Sequence, residues 1–363
     1  AVGEDRFSAK FTSFYSYSSR HNLVFGGYYR RDQFGDDWDG DNFNFSTKII
    51  DGEVTGVPAD PFTKRVLTPY GRNVYALFGQ DTIRFNDEFS LLLGLRYDRV
   101  EAPKIPQPDN FSPRIALVVT PTSKTVFKAM FTSGVALPLN AGVTAEDNFA
   151  FGRPNQIDAD KSERLNSIEL EASYQPNENS SIGVNVFYNS LQDIFGGFDI
   201  PGPDPKVFRL FNHGRVDYVG FEALASVNFN RKTLVRVVHQ HVQFGSVVDY
   251  IFDFLTTTDN KHPSNYPEDV TKILGDLRIN KDFSVNANVN LVWNDFSRKT
   301  SIDTNETGFY ALLNANLVWE VNPRTEFIFS GYNLFNEQKR IPPMDSLAFL
   351  PQRNSNLNFL YHF

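Results

Sequence analysis

The sequence predicts an all-β fold, a transmembrane antiparallel β-barrel. Three observations predict it: side chains alternate apolar and polar with a period of two, the connections alternate short and long, and the last segment alternates up to a terminal aromatic. A wall with lipid outside and a wet interior needs unlike side chains at successive positions, because a strand turns neighbours to opposite faces.

Composition is compatible with such a wall. Mean hydropathy is -0.35 and 21% of residues are charged. No run of about 18 apolar residues exists to form a spanning helix. A barrel averages its two faces, so these values do not count against it. The chain holds 35 Phe, 15 Tyr and 3 Trp but only 2 Met and no Cys. Lack of thiols suits a chain that crosses an oxidising compartment. The net charge of -8 argues against nucleic acid as partner. The chain opens at Ala1 without a charged n-region or apolar h-region; a mature, truncated or cytoplasmic chain would all begin so.

Alternation is clearest in four places. Phe89, Leu91, Leu93, Leu95 and Tyr97 interleave with Ser90, Gly94, Arg96 and Asp98. Ile182, Val184, Val186 and Tyr188 interleave with Gly183, Asn185 and Asn189. Phe283, Val285, Ala287, Val289, Leu291 and Trp293 face away from Ser284, Asn286, Asn288 and Asn290. Phe309, Ala311, Leu313, Ala315, Leu317 and Trp319 face away from Asn314, Asn316 and Glu320. A soluble sandwich would also alternate. These segments, however, run about 10–15 residues, longer than the soluble mode of about 5–6 and suited to a tilted crossing. Aromatics at their ends fall where interfacial girdles sit.

Short polar turns are expected at Ser18–Asn22, Asn86–Glu88, Pro121–Lys124, Pro176–Ser180, Asn230–Lys232, Asn280–Asp282 and Asn322–Arg324. Between them lie Gly/Pro/Asp-rich links at about 35–71, 101–110, 138–162, 196–206, 246–267, 297–308 and 340–348. Outer-membrane barrels sort their connections by end in this way, and a soluble sandwich has no reason to. In the last segment, Leu357, Phe359, Tyr361 and Phe363 alternate with Asn356, Asn358, Leu360 and His362. That pattern resembles the C-terminal signal that the barrel-assembly machinery of outer membranes reads. About fifteen strands are expected, an odd number. The first and last then run the same way, and a closed antiparallel barrel needs an even count. Residues 1–363 are therefore read as one barrel domain, N-terminally incomplete.

Local patterns resemble the barrel of TonB-dependent receptors. Tyr75-Ala-Leu-Phe-Gly-Gln80-Asp81 is similar to that family's aromatic-x-x-Phe-x-Gln-Asp strand and is followed by Leu93-Gly-Leu-Arg-Tyr-Asp98. Asn110-Phe-Ser-Pro-Arg114 heads the next strand, and Lys128 to Pro138 resembles a strand ending near proline. Glu163 and Glu169 lie where the family has a glutamate-bearing strand; Asn185-Val-Phe-Tyr188, Gly220-Phe-Glu222 and Asn333-Leu-Phe-Asn336 follow in order. The resemblance covers residues 70–363. It implies a barrel of 22 strands with about seven absent from this sequence. It also implies an N-terminal plug domain not present here, through which a TonB-type energy-coupling protein would act. The surroundings implied are outer-membrane lipid and lipopolysaccharide of a Gram-negative bacterium. Asn148-Phe-Ala-Phe-Gly-Arg153 departs from the family's Pro-x-Leu-x-Pro-Glu run, which leaves the subfamily open.

No Ser/His or Asp/His spacing marks a catalytic site, so no enzyme activity and no cofactor are expected. Arg96, Asp98, Arg114, Glu169 and Glu222 sit on the polar parity of their strands as lumen-facing candidates. They would touch a plug or a passing solute, or simply hold the wall's shape. Phe149, Phe151 and Arg153 are extracellular-loop ligand candidates. Asp37, Asp39 and Asp41 bunch carboxylates as a cation loop would, without a closing Glu at the required spacing. His239 and His241 share one face, as metal or haem ligands or, more plainly, as interfacial or lumenal imidazoles. The function expected is uptake of a scarce nutrient of the siderophore, cobalamin, haem or oligosaccharide class. The alternative is a scaffold barrel of an outer-membrane assembly without transport.

Overall fold

The computed structural model describes residues 4–34, 47–50, 53–56, 70–101, 109–136, 155–158, 161–200, 207–230, 233–248, 267–295, 308–337, 340–341, 348–349 and 353–361. Fifteen strands form one ladder: β1 Glu4–Ser18, β2 His21–Phe34, β3 Tyr70–Arg84, β4 Phe89–Glu101, β5 Asn110–Thr122, β6 Thr125–Ala136, β7 Glu163–Asn177, β8 Ser180–Ile200, β9 Val207–Asn230, β10 Thr233–Val248, β11 Pro267–Arg278, β12 Phe283–Asp295, β13 Gly308–Asn322, β14 Thr325–Tyr332 and β15 Asn354–Tyr361. Each pairs antiparallel with the next. The expected count of fifteen is thus the observed one. Its oddness also holds: β1 and β15 run the same way, and among the described residues their outer edges have no partner. Short pieces lie off the ladder. Asn155–Asp158 pairs parallel with the start of β9, where β8 and β9, at 21 and 24 residues, outrun their neighbours.

The sequence explains where the strands turn. Seven short turns follow β1, β3, β5, β7, β9, β11 and β13, and seven long connections follow the even-numbered strands. Asparagine builds the tightest ones by standing in for a backbone carbonyl. Asn86 Oδ1 accepts from the amides of Glu88 and Phe89, and Asn280 Oδ1 from those of Asp282 and Phe283. Asn177 and Asn322 do the same for Asn179 and Arg324. Adjacent turns are stitched into one rim. Arg84 N donates to Arg20 O, Thr120 N to Glu88 O, Gln175 N to Lys124 O, and Asn228 N to Asn179 O.

Register fixes the two faces, since direct partners share a face. One row of partners runs Val219, Tyr188, Ile168, Phe131, Ile115, Leu93, Asp81, Leu23, Tyr15. This face is apolar and broadly exposed: Phe7, Phe11, Leu95, Phe111, Ile168, Leu170, Leu357 and Phe359 are each more than half solvent-accessible. Apolar surface of this extent is not stable against water. The row also reveals the tilt. At β9 it lies beside Asp217, where the apolar band ends towards the long connections. At β1 it has reached Tyr15, and the band's last aromatic there, Phe7, is eight residues further along. Rises of about 3.3 Å per residue, against strand spacings of about 4.8 Å, give a tilt of about 35°, within the range of membrane barrels.

Backbone contact accounts for the irregular residues. Pairing of β5 with β6 begins at Arg114, just after Pro113, which has no N–H to give. Asn333 and Asn336 take positive φ, which asparagine tolerates, and tie the chain back after β14. The Asn333 side chain accepts from Glu337 N and donates to Glu337 O, and its amide donates to Asn314 Oδ1. Gly220 is buried beneath the Phe187 ring, and a Cβ there would meet that ring and the His241 carbonyl. Gly220→Ala is expected to destabilise the barrel by about 2 kcal/mol through overpacking. Gly183, whose added Cβ would meet only ordinary contacts at 3.8 Å, is the control. The temperature at which the folded band is lost in unheated versus heated electrophoresis reads the difference.

Candidate functional site

The face opposite the aromatic band is where chemistry accumulates. Arg6, Ser8, Lys10, Thr12, Arg30, Asp32, Arg72, Gln80, Arg96, Asp98, Arg114 and Lys128 share it over β1–β6. Glu163, Glu169, Glu171, Asn185 and Glu222 carry it across β7–β9. Asn286, Asn288, Asn290, Asn314, Asn316, Ser330, Asn356 and Asn358 continue it over β12–β15. The face thus passes from a cationic sector through an acidic one to a sector dominated by amides, with Glu320 and Glu326 at its short-turn end.

All five lumen-facing candidates lie on this face, in two groups with Arg114 between them. The Arg96 Nε and Nη2 hold both oxygens of Asp98 at 2.6–3.0 Å, a two-armed clasp in which Asp98 is buried. Spacing of two residues on one strand brings them together without any help from the fold. Glu169 accepts from Ser167 Oγ at 3.1 Å and from Asn185 Nδ2 at 3.2 Å, and Glu222 lies directly across from Asn185. Lys128 pairs with Glu171 at 2.7 Å where the cationic and acidic sectors meet. Arg114 lies across from Gly94 and Thr132.

Sequence reasoning missed two features here. Asp32, wholly buried, is surrounded by Arg6, Arg30 and Arg72 from three strands. A spacing of two on one strand puts Arg30 and Asp32 on one face, but only the register adds Arg6 and Arg72. The amide sector is hydrogen-bonded within itself: Asn314 and Asn290 both donate to Asn288 Oδ1, and Asn286 donates to Asp276. Its asparagines were legible as a polar face, not as a network.

His239 and His241 share a face as expected, and it is the apolar one. His241 Nδ1 lies 2.8 Å from Asp269 Oδ1, His239 Nδ1 lies 2.8 Å from Thr271 Oγ1, and Trp293 stacks on His239. These pairs sit at the upper margin of the band, level with Trp293, so the interfacial reading fits them and a lumenal one does not. No group of three or more metal-ligating side chains occurs among the described residues. Asp37, Asp39, Asp41, Phe149, Phe151, Arg153 and Phe363 lie outside the described residues. The rest of the terminal pattern is in place: Leu357, Phe359 and Tyr361 pair with Phe329, Phe327 and Thr325.

The family model described as TonB dependent receptor-like, beta-barrel matches residues 2–334. The chain belongs to that family. It is an outer-membrane barrel of a class of receptors, not of enzymes. Solved structures agree on the fold. The FrpB iron transporter from Neisseria meningitidis superposes with a TM-score of 0.72 at 16% identity, over 99% of this chain and 55% of that one. A ferric enterobactin receptor (PfeA) mutant from Pseudomonas aeruginosa gives 0.73 at 14% identity, over 100% and 54%. The ferric-catecholate import receptor Fiu from E. coli K12 gives 0.69 at 13%, over 100% and 55%. The chain spans a little over half the length of the solved receptors it matches. Direct comparison with curated proteins finds no match in sequence.

Removing one arm of the Arg96–Asp98 clasp tests its structural weight. Asp98→Ala leaves a guanidinium without its buried partner and is expected to cost about 1–3 kcal/mol. Arg96→Lys, which keeps the charge but loses the second arm, is expected to cost about half as much. Urea titration of the folded band reads both.

Proposed function

We propose that this barrel is the wall of a TonB-coupled outer-membrane transporter for a scarce nutrient, with a ferric siderophore as the first candidate cargo. Supporting it is the family membership together with a polar face carried by β1–β9 and β12–β15, opposite an aromatic band. In this reading the polar face lines the lumen, and Arg96, Asp98, Arg114, Glu169 and Glu222 stand in it, where ionisable groups are tolerated beside water or a plug. Residues 1–363 act as a single barrel domain. The ferric siderophore preference is motivated by the iron and catecholate receptors among the structural neighbours; cobalamin, haem and oligosaccharide remain in the panel. Phe149, Phe151 and Arg153 are the proposed extracellular ligand contacts, and Asp37, Asp39 and Asp41 a weaker cation loop. A plug preceding this segment would carry the contact to TonB. The outer band would meet lipid and lipopolysaccharide, and Leu357, Phe359, Tyr361 and Phe363 would be read by the assembly machinery.

The decisive experiment expresses the full-length gene in a strain stripped of its own siderophore receptors. Radio-iron uptake is measured with a panel of ferric siderophores, in the presence and absence of TonB. Uptake that disappears with TonB carries the proposal; a well-folded receptor that takes up nothing from the whole nutrient panel moves the scaffold alternative ahead. Separately, Phe359→Ala combined with Phe363→Ala is expected to lower folded protein in the outer membrane several-fold. Unchanged surface levels would remove the assembly role.

A further inference from the structure

The surroundings of Asp32 hold more cation than a structural pair needs. The Arg6 Nε is 2.8 Å from Oδ1, and the Arg72 Nε is 2.7 Å from Oδ2. Arg30 stands 3.1 Å from Oδ2 but out of line for a hydrogen bond, so its Nε is buried with no partner. Three guanidiniums face one carboxylate, and Arg30 and Arg72 meet no other carboxylate among the described residues, so these two alone bring one positive charge more than Asp32 can balance. A wall that only needed to hold three strands together would gain from one arginine and be strained by the mutual repulsion of three.

The donors also point to use. A guanidinium carries five N–H groups in a planar fork. Among the described residues, no acceptor is recorded for the Nη groups of Arg30 or Arg72, whose side chains are 22% and 11% exposed. Asp32 lies across from Arg6 on one side and Arg72 on the other, and Arg30 is one step below on its own strand. The carboxylate therefore acts as a template that holds the forks side by side. This row lies at the end of β1, β2 and β3 that leads to the long connections. Further along the same face lie Lys10, over the Phe78 ring at 5.8 Å, and Arg114, neither with a carboxylate partner among the described residues.

We propose that Arg6, Arg30 and Arg72, arranged by Asp32, form a binding site for a soluble oxyanion, a solute bearing carboxylate or phosphate groups, at the mouth of the polar face. Planar forks recognise such groups through paired hydrogen bonds, where lysines would offer only point charges. The inference rests on the reading of this face as the lumen wall and narrows the cargo, or part of it, to an anion.

The test titrates the full-length receptor in detergent with pyrophosphate and with citrate, by calorimetry at low salt. Binding of at least one probe is expected, weakening by about fivefold or more as ionic strength rises towards the range where charges are screened within about 10 Å. Arg30→Gln with Arg72→Gln is expected to weaken it by about tenfold or more. Arg278→Gln removes one positive charge from the same face near the short turns, and is expected to change it by less than about twofold. Should the double variant not fold, Arg72→Lys keeps the charge, loses the fork and is expected to weaken binding by about threefold or more. No binding of either probe, or an equal loss in Arg278→Gln, overturns the site. So does a receptor that binds nothing and melts earlier in the double variant, because a carboxylate from elsewhere in the full chain then fills the pocket. Probe binding without nutrient uptake would leave this site standing and sink the transport reading; uptake without probe binding would do the reverse.

Discussion

Everything in this wall follows from one constraint: inside a bilayer no water is available to pair a backbone N–H or C=O. A spanning segment that is not a helix must exchange all its backbone hydrogen bonds with neighbours, and the antiparallel ladder does this for the strands between β1 and β15. Strand length follows from it. The ladder strands of 12–16 residues, tilted by about 35°, cross a hydrocarbon layer of about 25–30 Å with a margin at each end, while β14 and β15 have eight residues each. The extra length of β8 and β9 lies beyond that layer, where a short parallel piece pairs with β9.

The same ladder separates two chemistries by less than the thickness of one strand. On one side, Phe, Leu and Val are left uncovered and must be met by lipid. On the other, some ionic groups close in pairs, Arg96 on Asp98 and Lys128 on Glu171. Where charges thin out, over β12–β15, asparagine amides satisfy one another instead. A polar face so arranged can stay ordered without a packed core beneath it, which few soluble folds could manage. Asp32 with its three arginines departs from one-to-one pairing, and the departure is what gives it meaning.

Much of this architecture could be read in the sequence, for reasons that are local. Alternation is a property of a single strand, so Phe89–Tyr97 and Phe283–Trp293 declared themselves. Asparagine turns need only four consecutive residues, so Asn86, Asn280 and Asn322 did too. Strand number followed from counting turns. What was hidden depends on register, which no single strand specifies. His239 and His241 were seen to share a face, but only pairing with Phe221 and Ala223 places them on the apolar one. Asp269 reaches His241 from the next strand, and Arg6 and Arg72 reach Asp32 from either side. The loop candidates at 37–41 and 149–153 had no periodicity to fix them, and the described residues do not include them.

Along the ladder each strand pairs with its chain neighbours, the short parallel piece on β9 apart, and this gives the molecule an unusual economy of history. Its contacts join residues close in sequence, so the loop-closure cost of each new strand is that of a single hairpin, whatever the size of the finished wall. Such a chain has the energetics of a one-dimensional array, in which each hairpin is stabilised by the two beside it. Damage to one hairpin should stay near it, and insertions in a long connection should leave the next hairpin's register intact. Divergence to about 15% identity with the superposition preserved is what an array of that kind permits.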